Sequence, residues 1–153
     1  MENDVGREIA ESLGVLLKRS TRIGLHRTLT AGMGEAVDEL TYPILSGLER
    51  TGPRSAADLA PDVGLDRSGV TRRASRLEAA GLVRRDPDPG DRRATLLALT
   101  EEGERVVKAL RERLAGHIAA GLASWPPGEA AAFARNLQRF VAEGPFGQEP
   151  GSM

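Results

Sequence analysis

The chain has 153 residues, 40% of them apolar, and a formal net charge of −1, so it is long enough for one domain with its own core. It contains no cysteine, which excludes disulfides, thiolate metal sites, thiol nucleophiles and cysteine-based redox sensing. No apolar run approaches the roughly 20 residues of a membrane-spanning helix, and the polar start MENDVGREIAES lacks a signal-peptide core, so we expect a cytoplasmic protein with no membrane partner.

Helical periodicity dominates the first 64 residues. An apolar stripe predicts one amphipathic first helix that runs to about Leu29. A second helix is predicted from about residue 35 to 50, with a kink or boundary near Thr41 because Pro43 lacks a backbone donor. The two stripes consist of Ile9, Leu13, Leu16, Leu17 and Ile23, and of Val37, Leu40, Ile44, Leu45 and Leu48.

Two further helices follow, each with a polar residue where a helix begins. Ser55 with Asp58 resembles a capping box and opens a short third helix that ends before Gly64, shortened or bent by Pro61. Asp66 is well placed as the N-cap of a fourth helix, which extends to about Ala80 and buries Val70, Ala74 and Leu77.

A charged β-hairpin is predicted after Gly81, which stops the fourth helix where a positive φ is favoured. Its strands are the alternating segments 82–85 and 94–99, joined by the turn-rich tip 86–91. A surface helix beside a hairpin that carries arginines is the geometry of a winged helix-turn-helix.

Positive charge is concentrated on this module. Residues 67–85 carry a local charge of +5, and the rest of the chain carries −6. Such asymmetry is typical of phosphate binding, although an isolated charge run is more often only a solvated helix face. The six arginines of the segment are Arg67, Arg72, Arg73, Arg76, Arg84 and Arg85.

The remaining residues predict two more helices and a tail. Acidic residues from Glu101 open a long helix, the Trp125-Pro126-Pro127 run breaks it, and a last helix precedes a tail at 144–153 that we expect to be disordered. Neither the first helix nor the last two has a partner within a winged-helix core, so packing across a two-fold axis is expected to cover their stripes. The stripes are Val106, Val107, Leu110, Leu114, Ile118 and Leu122, and Phe133, Leu137, Phe140 and Val141.

Taken together, residues 8–143 resemble the multiple-antibiotic-resistance regulator (MarR) family of transcription factors. The resemblance is sharpest in Val70-Thr71-Arg72, in Arg76 through Arg85, and from Asp86-Pro87 through Asp91-Arg92-Arg93 to Gly103. It implies a mostly α fold with a small β-wing (α+β) and a single domain over 1–143. In that domain a winged helix-turn-helix lobe (about 36–100) lies between dimerisation helices (about 5–30 and 101–143). It also implies a homodimer that binds double-stranded DNA at a pseudo-palindromic operator, most often as a repressor.

The resemblance assigns site residues position by position. Ser68, Thr71, Arg72 and Arg76 match the recognition-helix positions that reach the major groove, and Arg73 matches a phosphate contact. Arg93 matches the wing-tip arginine of the minor groove, with Arg92 as the alternative, and Asp91 matches the acid that pairs with an arginine and fixes the wing. For Arg76, a structural salt bridge near Glu78 and the lobe core is the competing interpretation.

Other function classes have less support. His26 and His117 are the only histidines, no metal-spaced cluster or phosphate loop accompanies them, and we expect neither enzymatic activity nor a cofactor. A winged helix that binds another protein instead of DNA remains the alternative. The resemblance further implies an aromatic acid or phenol as effector in a cleft beside the first helix. Arg22 and His26 would share a face of that cleft, unless both are solvent-exposed or bonded within the dimer.

Overall fold

The computed structural model describes residues 2–146, with the side chain of Glu2 excepted. Chain contacts divide it into two compact units, one that ends at Leu114 and one that begins at Ala115. The expected single domain over 1–143 stays a prediction, and the expected disorder of the tail falls largely on residues 147–153, outside the described residues. Within the described part of the chain, no helix is long and apolar enough to cross a membrane.

Nine elements follow one another within residues 2–146. The helices are α1 (Glu2–Leu17), α2 (Arg19–Thr30), α3 (Tyr42–Thr51), α4 (Ala56–Val63), α5 (Arg67–Ala79), α6 (Glu101–Leu122) and α7 (Glu129–Glu143). The strands are β1 (Val83–Asp88) and β2 (Asp91–Leu99), and they form one antiparallel hairpin. This mostly helical architecture with a two-stranded wing agrees with the α+β class predicted from the sequence.

The predicted first helix is wrong in one respect, because it is two helices. Lys18 separates α1 from α2 by adopting an extended conformation with φ −55° and ψ 134°. Neither proline nor glycine occupies the break, so the sequence carries no signal for it.

The predicted second helix also begins later than expected. The side chain of Asp38 accepts hydrogen bonds from the backbone N–H groups of Leu40 (2.9 Å) and Thr41 (3.0 Å), which turns the chain before a helix can form. Helix α3 then starts at Tyr42 with Pro43 in its first turn, where a missing N–H costs nothing. The expected boundary near Thr41 is confirmed, but Leu40, predicted to be buried, is 42% exposed because it lies on this turn.

Local capping signals position the next helices as predicted. Ser55 Oγ accepts from the N–H of Asp58 at the start of α4, and Gly64 ends that helix in the left-handed conformation. Asp66 Oδ1 accepts from the N–H of Gly69 at 2.7 Å and caps α5. Gly81 follows α5 with φ 77°, as its place after the helix predicts.

The hairpin is longer and its turn tighter than the sequence indicated. Strand pairing extends from Val83 opposite Leu99 to Asp88 opposite Asp91, with an irregularity at Pro87 and Asp88. Proline lacks the donor of a ladder bond, so Pro87 favoured a turn in the sequence, yet a hairpin edge tolerates it. Arg54 adds a short bridge to Leu97, through backbone bonds of 3.0 and 2.7 Å.

One core holds the lobe together. It is built mainly from the inner faces of α3, α4 and α5, the base of the hairpin and the first half of α6. Ile44, Leu45, Leu59, Val70 and Leu77 are completely buried. Burial of each such side chain contributes roughly 1.5–3 kcal/mol, so this core fixes where the outer faces of α5 and the hairpin lie.

The second unit buries much less of its apolar surface. None of the residues of α7 is buried, and Phe133, Leu137 and Val141 on this helix are 44–62% exposed. Trp125 packs against Phe133 with ring centroids 5.5 Å apart. Helix α1 likewise leaves Val5, Ile9, Val15, Leu16 and Leu17 between 42% and 64% exposed. Apolar faces of this size within one chain mark a surface that another chain can cover.

Candidate DNA interface and effector cleft

Helix α5 presents one apolar face and one polar face. Val70, Ala74 and Leu77 are buried at spacings of four and three, so the helix is anchored to the core along one stripe. Ser68, Arg72 and Arg76 are exposed, and Thr71 is half-buried. Two of the hydroxyls are bonded locally: Ser68 Oγ donates to Asp66 Oδ2 (3.1 Å) and Thr71 Oγ1 donates to the carbonyl oxygen of Arg67 (2.9 Å).

Two arginines of α5 contact the loop between α2 and α3, which comprises residues 31–41. Arg76 Nη2 lies 2.7 Å from Asp38 Oδ2 and 3.0 Å from the carbonyl oxygen of Glu35. Arg73 Nη1 donates to the carbonyl oxygen of Leu40 at 3.0 Å. The ion pair of Arg76 therefore forms with Asp38, and not with Glu78 as the sequence left open.

The ionisation of Asp38 fits this pairing. Partial burial raises the pKa of its carboxyl, but the hydrogen bonds from Arg76 and from the N–H groups of Thr41 and Leu40 outweigh that effect and lower it. The lowered pKa keeps Asp38 a carboxylate at neutral pH, where its negative charge attracts the guanidinium of Arg76.

Two arginines of β1 are bonded within the wing and its junction with α5. Arg84 bonds Asp86 Oδ2 (2.9 Å) and the carbonyl oxygen of Leu99 (2.8 Å). Arg85 pairs with Glu78 Oε2 at 3.2 Å and donates to Ser75 Oγ at 2.9 Å. The contacts of Arg85 connect the hairpin to α5, and those of Arg84 lie within the hairpin.

The first turns of α5 carry arginines with fewer contacts. Arg72 influences Asp66 only through its charge, while the bonds from Gly69 N–H and Ser68 are the main causes of the lowered pKa of Asp66. The side chain of Arg67 makes no hydrogen bond with any residue in the range 2–146, and it lies on the first turn of the helix. Sequence reasoning counted Arg67 in the basic segment but did not assign it to the site, although its position one residue after the N-cap was a usable signal.

The wing tip is held by side-chain to backbone bonds. Asp91 Oδ1 accepts from the backbone N–H of Arg93 at 3.0 Å, and Asp88 Oδ1 accepts from that of Gly90 at 2.9 Å. Asp91 thus fixes the wing through backbone, whereas the acid paired with an arginine in the hairpin is Asp86. Arg92 and Arg93 are both exposed, and they lie in the irregular part of β2, between Asp91 opposite Asp88 and Thr95 opposite Pro87.

Arg22 and His26 lie one turn apart on α2. His26 stacks on Tyr42 of α3, with ring centroids 4.2 Å apart and planes 30° apart. Burial, and secondarily the charge of exposed Arg22, lower the pKa of His26 below 6.5, so the ring is neutral at pH 7. Tyr42 also lines a shallow cleft with Ser46, Glu49, Val107, Leu110 and Arg111.

Comparison with known proteins agrees with this geometry. The sequence model of the MarR family matches residues 39–95, from the end of the α2–α3 loop into β2. The chain is 29% identical over 140 residues to the HTH-type transcriptional regulator YxaD of Bacillus subtilis, an alignment that covers 91% of this chain and 95% of that protein. The chain belongs to the MarR family.

Solved structures extend the similarity over nearly the whole length. Rv1404 from Mycobacterium tuberculosis matches with a TM-score of 0.71 at 28% identity, over 100% of this chain and 99% of that one. PcaV from Streptomyces coelicolor, a transcriptional regulator solved in complex with its natural ligand, matches with a TM-score of 0.55 at 29% identity, over 88% and 90%. The fold predicted from the sequence is confirmed, and this MarR-family protein is a transcriptional regulator and not an enzyme.

Proposed function

We propose that this regulator is a homodimer that binds a specific, pseudo-palindromic operator in double-stranded DNA and acts in the cytoplasm as a ligand-responsive repressor. The observation that carries the proposal is a recognition helix with exposed Arg67 and Arg72 beside a hairpin tip with exposed Arg92 and Arg93. A helix fits the major groove, and an arginine at a wing tip fits the narrower minor groove. A dimer bound at a promoter represses transcription by excluding RNA polymerase.

The contacts of α5 support different roles for its first turns and for Arg73 and Arg76. We assign base reading to Ser68, Thr71 and Arg72 and extend it to Arg67, because the first turns of a recognition helix are the part that reaches base edges. Arg73 and Arg76, which the family resemblance also assigns to DNA, can reach it only by leaving Leu40 and Asp38. Asp91 supports the wing by holding the backbone at Arg93.

The assignment is tested with an operator selected by the wild-type protein from random duplexes. Fluorescence anisotropy should show that Arg72→Ala and one of Arg92→Ala and Arg93→Ala weaken binding by about 1–3 kcal/mol, or roughly fivefold to 150-fold. The wing variant with the larger loss identifies the arginine that enters the minor groove. Arg139→Ala is the matched control, since this surface arginine pairs with Glu143 on α7. Unchanged affinity in Arg72→Ala and in both wing variants, with normal circular dichroism, refutes the assignment.

Salt dependence separates exposed arginines from those bonded within the lobe. If only the four arginines at 67, 72, 92 and 93 bring their charge to the DNA and displace counterions, the slope of log K against log salt should be about −3.6 for each protomer, or about −7 for a dimer. If all eight arginines of the helix and wing do so, the slope should be about −14. A winged helix that binds protein instead of DNA gives no selected duplex at all.

Homodimerisation rests on the uncovered apolar faces of α1 and α7. Leu137 is 46% exposed within one chain, so Leu137→Asp should dissociate the dimer without unfolding the monomer. Gln138→Asp, on the neighbouring polar position, should leave the dimer intact. Sedimentation velocity distinguishes these outcomes, and a Leu137→Asp protein that remains dimeric contradicts an interface on this helix. In a dimer, the operator half-sites should lie about one helical turn apart.

An aromatic acid or phenol is the proposed effector. Arg22 can pair with a carboxylate, and neutral His26, already stacked on Tyr42, offers one oriented hydrogen bond and an aromatic surface. The structure of PcaV with its natural ligand supports the idea that relatives of this fold respond to a ligand. Calorimetry with benzoates and phenols should show binding to the wild type that Arg22→Ala weakens at least tenfold. Equal binding by the variant removes Arg22 from the site.

A further inference from the structure

The α2–α3 loop contacts both α5, the proposed recognition helix, and the start of α3, where Tyr42 lines the cleft. From α5, Arg76 reaches Asp38 and the carbonyl of Glu35, and Arg73 reaches the carbonyl of Leu40. These bonds link residues 33 to 41 positions apart in sequence, so they are tertiary restraints on the recognition helix. They join its middle and last turns to the α2–α3 loop.

The same loop is bonded to the start of α3. The backbone N–H of Tyr42 donates to the carbonyl oxygen of Asp38 at 2.9 Å, and Asp38 Oδ1 accepts from the N–H of Thr41. Thr41 is completely buried, and its hydroxyl donates to the carbonyl oxygen of Ala36 at 2.6 Å. Asp38 thus bonds to the recognition helix through Oδ2 and to the first residues of α3 through Oδ1 and its backbone.

Tyr42 connects the hydrogen bonds of Asp38 to the cleft. One side of its ring stacks on His26, and the residue lines the cleft with Glu49, Leu110 and Arg111. A displacement of Tyr42 therefore pulls on Asp38 directly, and a displacement of α5 does the same through Arg76. A turn held by these hydrogen bonds, with Thr41 buried, transmits such a displacement because it has few alternative arrangements.

We propose that Asp38 and Arg76 are positioning residues that couple the recognition helix to the cleft at Tyr42. Arg76 acts on DNA binding through Asp38 and does not contact DNA itself. The part of this inference that concerns DNA rests on the proposed function. Because coupling is reciprocal, binding at either site must change binding at the other.

The DNA-binding experiment uses a double-mutant cycle on the operator selected by the wild type. Arg76→Ala and Asp38→Ala should each weaken binding by about threefold to thirtyfold, and the double variant should lose no more than either single change. The salt slope of Arg76→Ala should equal that of the wild type. A direct phosphate contact predicts the opposite pattern, with the slope of Arg76→Ala smaller by about 1 and affinity in Asp38→Ala unchanged or higher, since Arg76 is then free to bind.

The matched control is the ion pair between Arg27 and Glu39. It joins the same loop to α2 at 3.4 Å and has the same charge types, but it does not involve α5. Arg27→Ala and Glu39→Ala should leave operator affinity within about twofold of the wild type. If they weaken binding as much as Asp38→Ala does, the loop has only a general structural role and the proposal fails.

A second experiment monitors Tyr42 in the cleft by ¹⁹F NMR, without any effector. The chain contains one tyrosine, so labelling with 3-fluorotyrosine places ¹⁹F at Tyr42 alone. In free protein, Arg76→Ala should shift the Tyr42 resonance and Arg72→Ala should not, because Arg72 does not contact the loop. Saturating operator should shift the resonance in the wild type and much less in Arg76→Ala and Asp38→Ala.

The two experiments distinguish failure of the proposed function from failure of the coupling. A wild-type protein that selects no duplex removes the proposed function, while the free-protein resonance still tests the link from Arg76 to Tyr42. A protein that binds its operator but shows the same Tyr42 resonance in Arg76→Ala and wild type overturns the coupling alone.

Discussion

The junction between the hairpin and α6 depends on a glycine. Gly103 is buried, and a Cβ at this position would lie 2.0 Å from the carbonyl oxygen of Leu82 and 3.0 Å from its carbonyl carbon. Ordinary contacts begin near 3.4 Å, so Gly103→Ala requires the backbone at Leu82 or at the start of α6 to move. That carbonyl oxygen also accepts the N–H of Thr100 at 3.0 Å, a bond which the displacement strains.

The expected cost follows from these distances. Overpacking against backbone costs about 1–3 kcal/mol, and a weakened hydrogen bond adds up to about 1, while alanine returns up to about 1 through helix propensity. We expect Gly103→Ala to lower the free energy of unfolding by about 2 kcal/mol in urea titrations at one protein concentration. The matched control is Gly116→Ala in the same helix, where an added Cβ meets nothing within 4 Å and should be neutral or slightly stabilising. A Gly103→Ala protein as stable as the Gly116→Ala protein refutes the close approach.

Three further predictions follow from charge and exposure. Because burial is the larger cause of the lowered pKa of His26 and Arg22 the smaller, Arg22→Ala should raise that pKa only part of the way to 6.5 in an NMR titration. The pKa of Asp38 is lowered on folding, so its stabilisation is complete above about 3.8 and is lost as pH falls through the folded-state pKa; Asp38→Asn should show a weaker loss of stability in acid urea titrations. Deletion of residues 1–28 should uncover apolar surface and cause aggregation or unfolding, whereas a soluble monomer with normal operator affinity would contradict a dimer built from the terminal helices.

Local signals in the sequence were sufficient wherever a helix begins or ends for a local reason. Ser55 and Asp66 cap their helices with short side chains, and Gly81 supplies a positive φ, so their roles depend on nearest neighbours only. Pro43 predicted a boundary because it lacks a donor, whatever the rest of the chain does.

Other boundaries depend on tertiary structure and could not be predicted. Lys18 breaks the first helix at a residue with ordinary helix propensity. The turn before α3 forms because Asp38 bonds to the backbone ahead of it, and that carboxylate is in turn held by Arg76 from another helix. The exposure of Leu40 follows from this turn and contradicts its place in the apolar pattern.

The arginines of the site also show the difference between what local sequence predicts and what tertiary contacts determine. Residues 67–85 contain six of them, and charge counting treats all six as available to phosphate. In the folded lobe, Arg73 and Arg76 bond to the α2–α3 loop, and Arg84 and Arg85 bond within the wing and to α5. Apart from Asp86, which follows Arg84 on β1, each of these partners lies on a different element from its arginine or across the hairpin, so sequence spacing could not reveal them. A basic segment therefore predicts that a module binds nucleic acid, but only the tertiary contacts indicate which of its charges are free to do so.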